Sequence, residues 1–146
     1  MTYEDIEILF VEDNIDDAEL TIRALKKSGL INLLRHVSDG AEALDFIYCK
    51  GAYASRNSTN IKLILLDLKM PKVSGLQVLE KVKSDPALKS TPVVILTSSK
   101  EDPDIKASYA LGANSYIVKP VEGENFFQVI KELGLYWMIL NEPRAR

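Results

Sequence analysis

Five short apolar runs, Ile8–Val11, Leu33–Val37, Leu63–Leu68, Val93–Thr97 and Ser115–Val118, are each followed by a segment with helical character. No other feature of the chain restricts its fold as much. Runs of this length fit buried strands and are too short for helices. The apolar stripes between and after them are Ala18, Thr21, Ile22 and Leu25, ended by Gly29; Ala41, Leu44, Ile47 and Tyr48; Gly75, Val78, Leu79 and Val82, stopped at Asp85-Pro86; and Phe126, Val129, Ile130, Leu133, Trp137 and Leu140. Asp104–Leu111 is helical but weakly patterned, with Ile105, Tyr109 and Leu111 as its large apolar residues. Fivefold alternation of strand and helix predicts an α/β layer fold built on a parallel sheet. Strands that are apolar almost throughout have helices on both faces, so the sheet is doubly wound. The stretch "CKGAYASRNSTN" is polar and small, and its later part reads as an exposed loop.

A parallel sheet places the carboxyl ends of all its strands at one edge, and ligands bind there. The first run, "ILFV", ends in Glu12 and Asp13. The third ends in Asp67, the fourth in Thr97 followed by Ser98 and Ser99, and the fifth is followed by Lys119-Pro120. The second ends less sharply, in Ser38 and Asp39. Three acids, a hydroxyl and an amine are thus brought to one edge.

Three carboxylates in a partly buried site repel one another and should titrate high unless a cation joins them. Mg2+ suits this set: it takes oxygen ligands and keeps waters beside one or two carboxylates and a phosphate. Zn2+ is disfavoured, because no His or Cys stands near the acids in the pattern. The remaining groups suit phosphoryl transfer, in which a carboxylate can be the nucleophile and the protein supplies mainly position and charge. An ammonium at Lys119 and a hydroxyl at Thr97 would each meet a phosphoryl oxygen. Taken singly, each residue has a structural explanation, as a cap, a β-former or a solvated amine. Their common position at strand ends favours function.

Composition removes other classes. A net charge of −3 and a pI of about 5.2 give no electrostatic footprint for nucleic acid. The single Cys49 cannot form an internal disulfide and points to a reducing, cytoplasmic setting. The acidic start "MTYEDIEI" and the lack of any long apolar run argue against a signal peptide and a membrane span. His36 has no obvious partner and is assigned no role.

The segments "FVEDN", "LILLDLKMPKVSG", "VVILTSS" and "GANSYIVKP" together resemble the hallmark segments of response-regulator receiver domains of two-component signalling. The resemblance runs from about Ile8 to Leu140. It implies a flavodoxin-like (βα)5 receiver fold with strand order 2-1-3-4-5. It further implies that Asp67 accepts a phosphoryl group from a phosphohistidine on a sensor histidine kinase. Asp13, Asp67 and the backbone carbonyl of Lys69 would hold Mg2+, with Glu12 acting directly or through water. Thr97 and Lys119 would take the phosphoryl oxygens, and Tyr116 would be the switch aromatic that turns inward as Thr97 moves. Lys119-Pro120 matches the family's cis peptide. Glu12 replaces an Asp found in many members, and Lys69 and Ser99 stand where family members tune phosphoryl lifetime.

The segments "ALDFIYCKGAYA", "SYALGANSYIVKPV" and "YWMILNEP" are similar to stand-alone receivers found beside phytochrome-type sensor kinases. On this reading, residues 1–146 are one receiver domain with a core over about 7–140 and no output domain. The protein is no enzyme beyond its own phosphorylation and dephosphorylation. Output would pass to a downstream protein or a phosphorelay through the surface of the fourth helix, fifth strand and fifth helix. Tyr136 and Trp137 lie ~100° apart on a helix and cannot both face the core. One of them, with Met138, is expected to form a homodimer interface. A haloacid-dehalogenase-type phosphatase is the rival enzyme, but its second acid, two residues after the nucleophile, is Lys69 here. A degenerate receiver that binds without phosphorylation is disfavoured because every expected site residue is present.

Overall fold

The structure, a computed structural model, describes residues 8–27, 34–56, 61–68, 70, 73–98 and 103–134. The elements run β1 (Ile8–Val11), α1 (Ile15–Lys26), β2 (Leu34–Val37), α2 (Gly40–Tyr48), a 3-10 turn (Gly51–Tyr53), β3 (Leu63–Asp67), α3 (Gly75–Ser84), β4 (Val93–Thr97), α4 (Pro103–Ala110), β5 (Ser115–Val118) and α5 (Gly123–Glu132). All strand pairs are parallel, in the order β2-β1-β3-β4-β5. Strand order and strand bounds therefore follow the sequence pattern closely. β3 closes on Asp67, with Leu68 just beyond it. Leu33 and Gly29 lie outside the described residues, as do Trp137 and Leu140 of the last stripe.

Alternate strand residues face opposite sides of the sheet, and each side carries its own core. On one side Leu9, Val11, Ile64, Leu66, Val93 and Ile95 pack with Phe46 and Ile47 of α2 and Val78, Leu79 and Val82 of α3. On the other, Ile8, Phe10, Leu65, Leu96 and Ile117 pack with Leu25 of α1 and Phe126 and Ile130 of α5. The strands are buried because helices cover both faces.

One stripe differs from its pattern. The buried face of α2 is Gly40, Ala43, Phe46 and Ile47, whereas the spacing points to Ala41, Leu44, Ile47 and Tyr48. This helix is apolar around most of its circumference, so periodicity alone does not fix its rotation. Tight packing at its first residue does: a Cβ on Gly40 would stand 2.1 Å from the Val73 carbonyl oxygen, so this face turns inward, while the Asp39 side chain accepts a hydrogen bond from the Glu42 N–H at 2.8 Å and caps the first turn. Leu44 and Tyr48 flank the same core, partly buried.

Similar local chemistry starts α1 and α3. The Asn14 side chain accepts from the Asp17 N–H at 2.8 Å at the head of α1. Ser74 and Gln77 form a reciprocal capping box at the head of α3. Next to it, Gly75 lies so close to the end of β3 that a Cβ there would stand 2.4 Å from the Asp67 carbonyl oxygen. Only glycine lets α3 begin against the residue that closes β3.

At the opposite edge of the sheet, Lys83 of α3 holds three oxygens. Its ammonium donates to the carbonyls of Lys89 (3.0 Å) and Thr91 (2.8 Å) and to Asn114 Oδ1 (3.0 Å). Asn114 Oδ1 also accepts from the Val93 N–H at 2.9 Å, so one cation joins α3, the entry to β4 and the entry to β5. Hydrogen bonds to charged groups contribute ~1.5–3 kcal/mol each, and less where the charge is itself partly taken out of water. Burial lowers the pKa of this lysine, which marks that opposing cost. The net expectation for Lys83→Met is a loss of about 2 kcal/mol, read as a lower urea midpoint at unchanged slope. A midpoint equal to that of the unaltered chain would show that the carbonyls find other donors.

Candidate functional site

The parallel sheet delivers Glu12, Asp13, Asp67, Thr97 and Lys119 to one edge, where they line a cleft of about 280 Å³ together with Asn14, Asp17 and Ser98. Glu12 and Asp13 follow β1 directly; Asp67 and Thr97 are the last residues of β3 and β4. Because β1 and β3 are neighbours, with Val11 in register with Leu66, the first acid pair stands beside Asp67. Ligand oxygens of Glu12, Asp13 and Asp67 all lie within 4.8 Å of one another.

Lys119 follows β5, and its N–H donates to the Thr97 carbonyl at 2.7 Å. The Lys119–Pro120 bond is cis. From there the ammonium reaches back across the sheet, standing 2.9 Å from Asp17 Oδ2, 3.0 Å from Glu12 Oε1 and 3.6 Å from Asp67 Oδ1.

Burial separates the three acids. The Glu12 side chain is fully buried and Asp67 nearly so, while Asp13 is exposed. Burial drives the Glu12 pKa up from 4.5 to about 7; the Lys119 ammonium opposes that rise and the Asp67 charge adds to it. Glu12 Oε2 accepts from the Asn14 N–H at 3.2 Å. Its buried Oε1 has the ammonium within ion-pair distance but no aligned hydrogen-bond donor. A buried carboxylate oxygen with spare acceptor capacity, facing two other carboxylates, suits a hard cation or a water bound to one. For Lys119, burial lowers the pKa, but Asp17, Glu12 and Asp67 outweigh it and the net shift is upward.

The sign of the Glu12 shift sets a pH dependence. Its folded value lies above 4.5, so stabilisation present below that pH is lost as pH rises through about 7. With EDTA present, the urea midpoint is therefore expected to fall between pH about 5 and about 8, and Glu12→Gln is expected to flatten the fall. Equal slopes for both proteins would assign the dependence to other groups.

Two contributors escape the sequence reading. Asp17, in the first turn of α1, accepts an aligned hydrogen bond from the Lys119 ammonium. Its position four residues after Asp13 was the available signal, since a helix starting at the strand end turns that residue back toward the site. His36, assigned no role above, sits on β2 with its Nε2 2.8 Å from the Glu12 carbonyl oxygen. The Nε2–H tautomer donates there and holds the exit of β1. No short-range pattern marks it, because the contact depends on the strand register that pairs Phe10 with His36.

Tyr116 of β5 is half-buried and packs edge-on against Tyr109 of α4, with ring centroids 6.1 Å apart. Lys69 and Ser99 lie outside the described residues, and so do Tyr136, Trp137 and Met138. Among the described residues, no helix is long and apolar enough to cross a membrane.

Comparison with known proteins agrees with this arrangement. A family model described as "Response regulator receiver domain" matches residues 8–131. Response regulator Rcp1 of Synechocystis sp. is 38% identical over 131 residues, covering 90% of this chain and 88% of Rcp1. The solved bacteriophytochrome response regulator RtBRR superposes with a TM-score of 0.86 at 50% identity, over 96% of this chain and 84% of that one. The phosphorylated cyanobacterial phytochrome response regulator RcpA gives 0.73 at 40% identity, over 93% and 94%. The Mn2+-bound form of Rcp1 gives 0.72 at 37% identity, over 91% and 94%.

Proposed function

Since the chain belongs to the response regulator receiver domain family, we propose that Asp67 is its phosphoryl acceptor and that a sensor histidine kinase is the donor. The observation that carries this reading is the meeting of Glu12, Asp13 and Asp67 with the Lys119 ammonium in one cleft. A carboxylate oxygen of Asp67 attacks phosphorus. A P–O bond forms as the P–N bond to the donor imidazole breaks, and the electron pair stays on that nitrogen. Charge builds on the phosphoryl oxygens during transfer, and fixed cations and donors stabilise it. Lys119 stands 3.6 Å from Asp67 Oδ1 and is placed to pair with one of those oxygens. The Thr97 hydroxyl takes another. Asp13 and Asp67 would hold Mg2+, with the Lys69 carbonyl and with Glu12 directly or through water; the bound cation supplies charge neutralisation. The Mn2+-bound form of Rcp1 supports a divalent cation in such a site.

The same reading extends to output. Thr97 and Tyr116 project to the sheet face that carries Ile95, and Tyr116 touches Tyr109 of α4. Thr97 moving toward the phosphoryl group would vacate space for the Tyr116 ring, and α4 would feel the change through Tyr109. Signal then leaves through the α4-β5-α5 surface, where Tyr109 and Phe127 are exposed. That surface, with Tyr136 and Trp137, serves a homodimer, and a downstream protein or phosphorelay partner reads the phosphorylated form. The chain acts as a single receiver domain in the cytoplasm, without enzymatic turnover beyond its own phosphoryl group. The phytochrome-linked relatives support a phytochrome-type kinase as its input.

Acetyl phosphate with Mg2+ is expected to add one phosphoryl group at Asp67, seen by intact mass and peptide mapping. Uptake at another residue, or equal uptake after chelation of Mg2+, would sink the reading. For the homodimer, sedimentation with and without a phosphoryl mimic should show a dimer in at least one state; a monomer in both would refute it.

A further inference from the structure

Away from the acidic cleft, the end of α2 holds a pairing that signalling chemistry does not use. Arg56 is 3% exposed, yet forms no ion pair with any carboxylate among the described residues. Its guanidinium lies over the Phe46 ring, 4.1 Å from the centroid. One nitrogen, Nη1, donates to the Phe46 carbonyl at 2.8 Å and to Cys49 Sγ at 3.4 Å. The other two, Nε and Nη2, are buried without a hydrogen-bond partner among the described residues. A buried cation with idle donors is costly unless an anion meets it. The atom held against it is a thiol sulfur.

Cys49 itself occupies an unusual place. It caps α2 with φ of +58°, a left-handed conformation in which glycine or asparagine is the ordinary occupant. The residue is half-buried. It is the chain's sole cysteine.

We propose that Cys49 is an oxidisable thiol, with Arg56 as the residue that positions its oxygenated form. The co-reactant is a hydroperoxide. The sulfur, having released its proton to water, attacks one peroxide oxygen. An S–O bond forms, the O–O bond breaks, and the departing oxygen leaves as hydroxide and takes up a proton. Sulfur loses two electrons and the peroxide is reduced to water, leaving Cys49 as sulfenic acid. Negative charge sits on the sulfur before attack and on both oxygens during it. Preorganised N–H donors aimed at such charge accelerate the step, and the Arg56 Nη1–H already donates to the sulfur at 3.4 Å from a buried guanidinium whose other nitrogens have no partner among the described residues. No second cysteine exists in the chain to resolve the product internally. An external thiol is therefore needed to convert the sulfenic acid to a disulfide.

The test uses the full-length chain and hydrogen peroxide, with dimedone trapping and mass mapping of Cys49. Trapping is expected to proceed about tenfold faster in the folded chain than in the same chain unfolded in urea. A folded rate equal to or below the unfolded rate would overturn the proposal, and this comparison needs no variant. Arg56→Lys keeps the charge and removes the forked donors. If its far-UV circular dichroism is unchanged, its trapping rate is expected to fall about fivefold toward that of the unfolded chain. A folded Arg56→Lys protein with the full rate would also overturn the assignment. Asp67→Asn should leave the rate unchanged, which separates a failure here from a failure of the phosphorylation reading.

Discussion

Asp67→Asn is expected to take up no phosphoryl group from acetyl phosphate and Mg2+, under conditions in which the unaltered chain takes up one. The carboxamide has the shape of the carboxylate but offers no anionic oxygen as nucleophile and less charge to a cation. Misfolding is not the expected cause of this loss. Asp67 adds to the rise of the Glu12 pKa, so neutralising it relieves repulsion inside a buried pair. The variant should thus match or exceed the unaltered chain in urea midpoint when metal is chelated. Loss of phosphorylation with stability kept identifies a chemical role. Loss of both would mean that Asp67 is structural, and full phosphorylation of the variant would move the acceptor elsewhere.

Lys119→Ala carries the other large effect, and here stability and chemistry fall together. The ammonium serves Asp17, Glu12 and Asp67 at once. Removing one partner from a buried ion pair costs ~3–5 kcal/mol. Asp17 is about two-fifths exposed and Glu12 can take up a proton, so about 2–3 kcal/mol is the expected loss. Mg2+ should restore part of it, since the cation answers the same carboxylates. Phosphorylation should slow by about 10²-fold, the usual effect of deleting one stabilising donor. Lys119→Arg keeps the charge and separates the two effects. A urea midpoint for Lys119→Ala equal to that of the unaltered chain would show that the ion pairs contribute nothing.

Most of this fold is written in short-range pattern. β1, β4 and β5 span the residues their apolar runs mark, and α3 buries the stripe Gly75, Val78, Leu79 and Val82 that spacing selects. Pattern is informative there because one face is apolar and the other charged. It misleads at α2, where apolar residues surround most of the axis and the close packing of Gly40 against Val73 decides which face is buried. The site divides in the same manner. Glu12, Asp13, Asp67, Thr97 and Lys119 could be found because a parallel sheet gathers the residues that end its strands. Asp17 and His36 could not be assigned with equal ease. One acts from a helix turn and the other through a main-chain oxygen on the adjacent strand, and both depend on register and helix direction.

The bond between Asp17 and Lys119 joins positions 102 residues apart. Proteins emerge from the ribosome in order, at ~5–20 residues per second. A nascent chain long enough to display Glu12, Asp13 and Asp67 still lacks the amine, which follows only after β4 and β5. Unfinished copies hold the acids together without the ammonium that pairs with them, so the charge balance of the cleft is set only when its last-made part arrives.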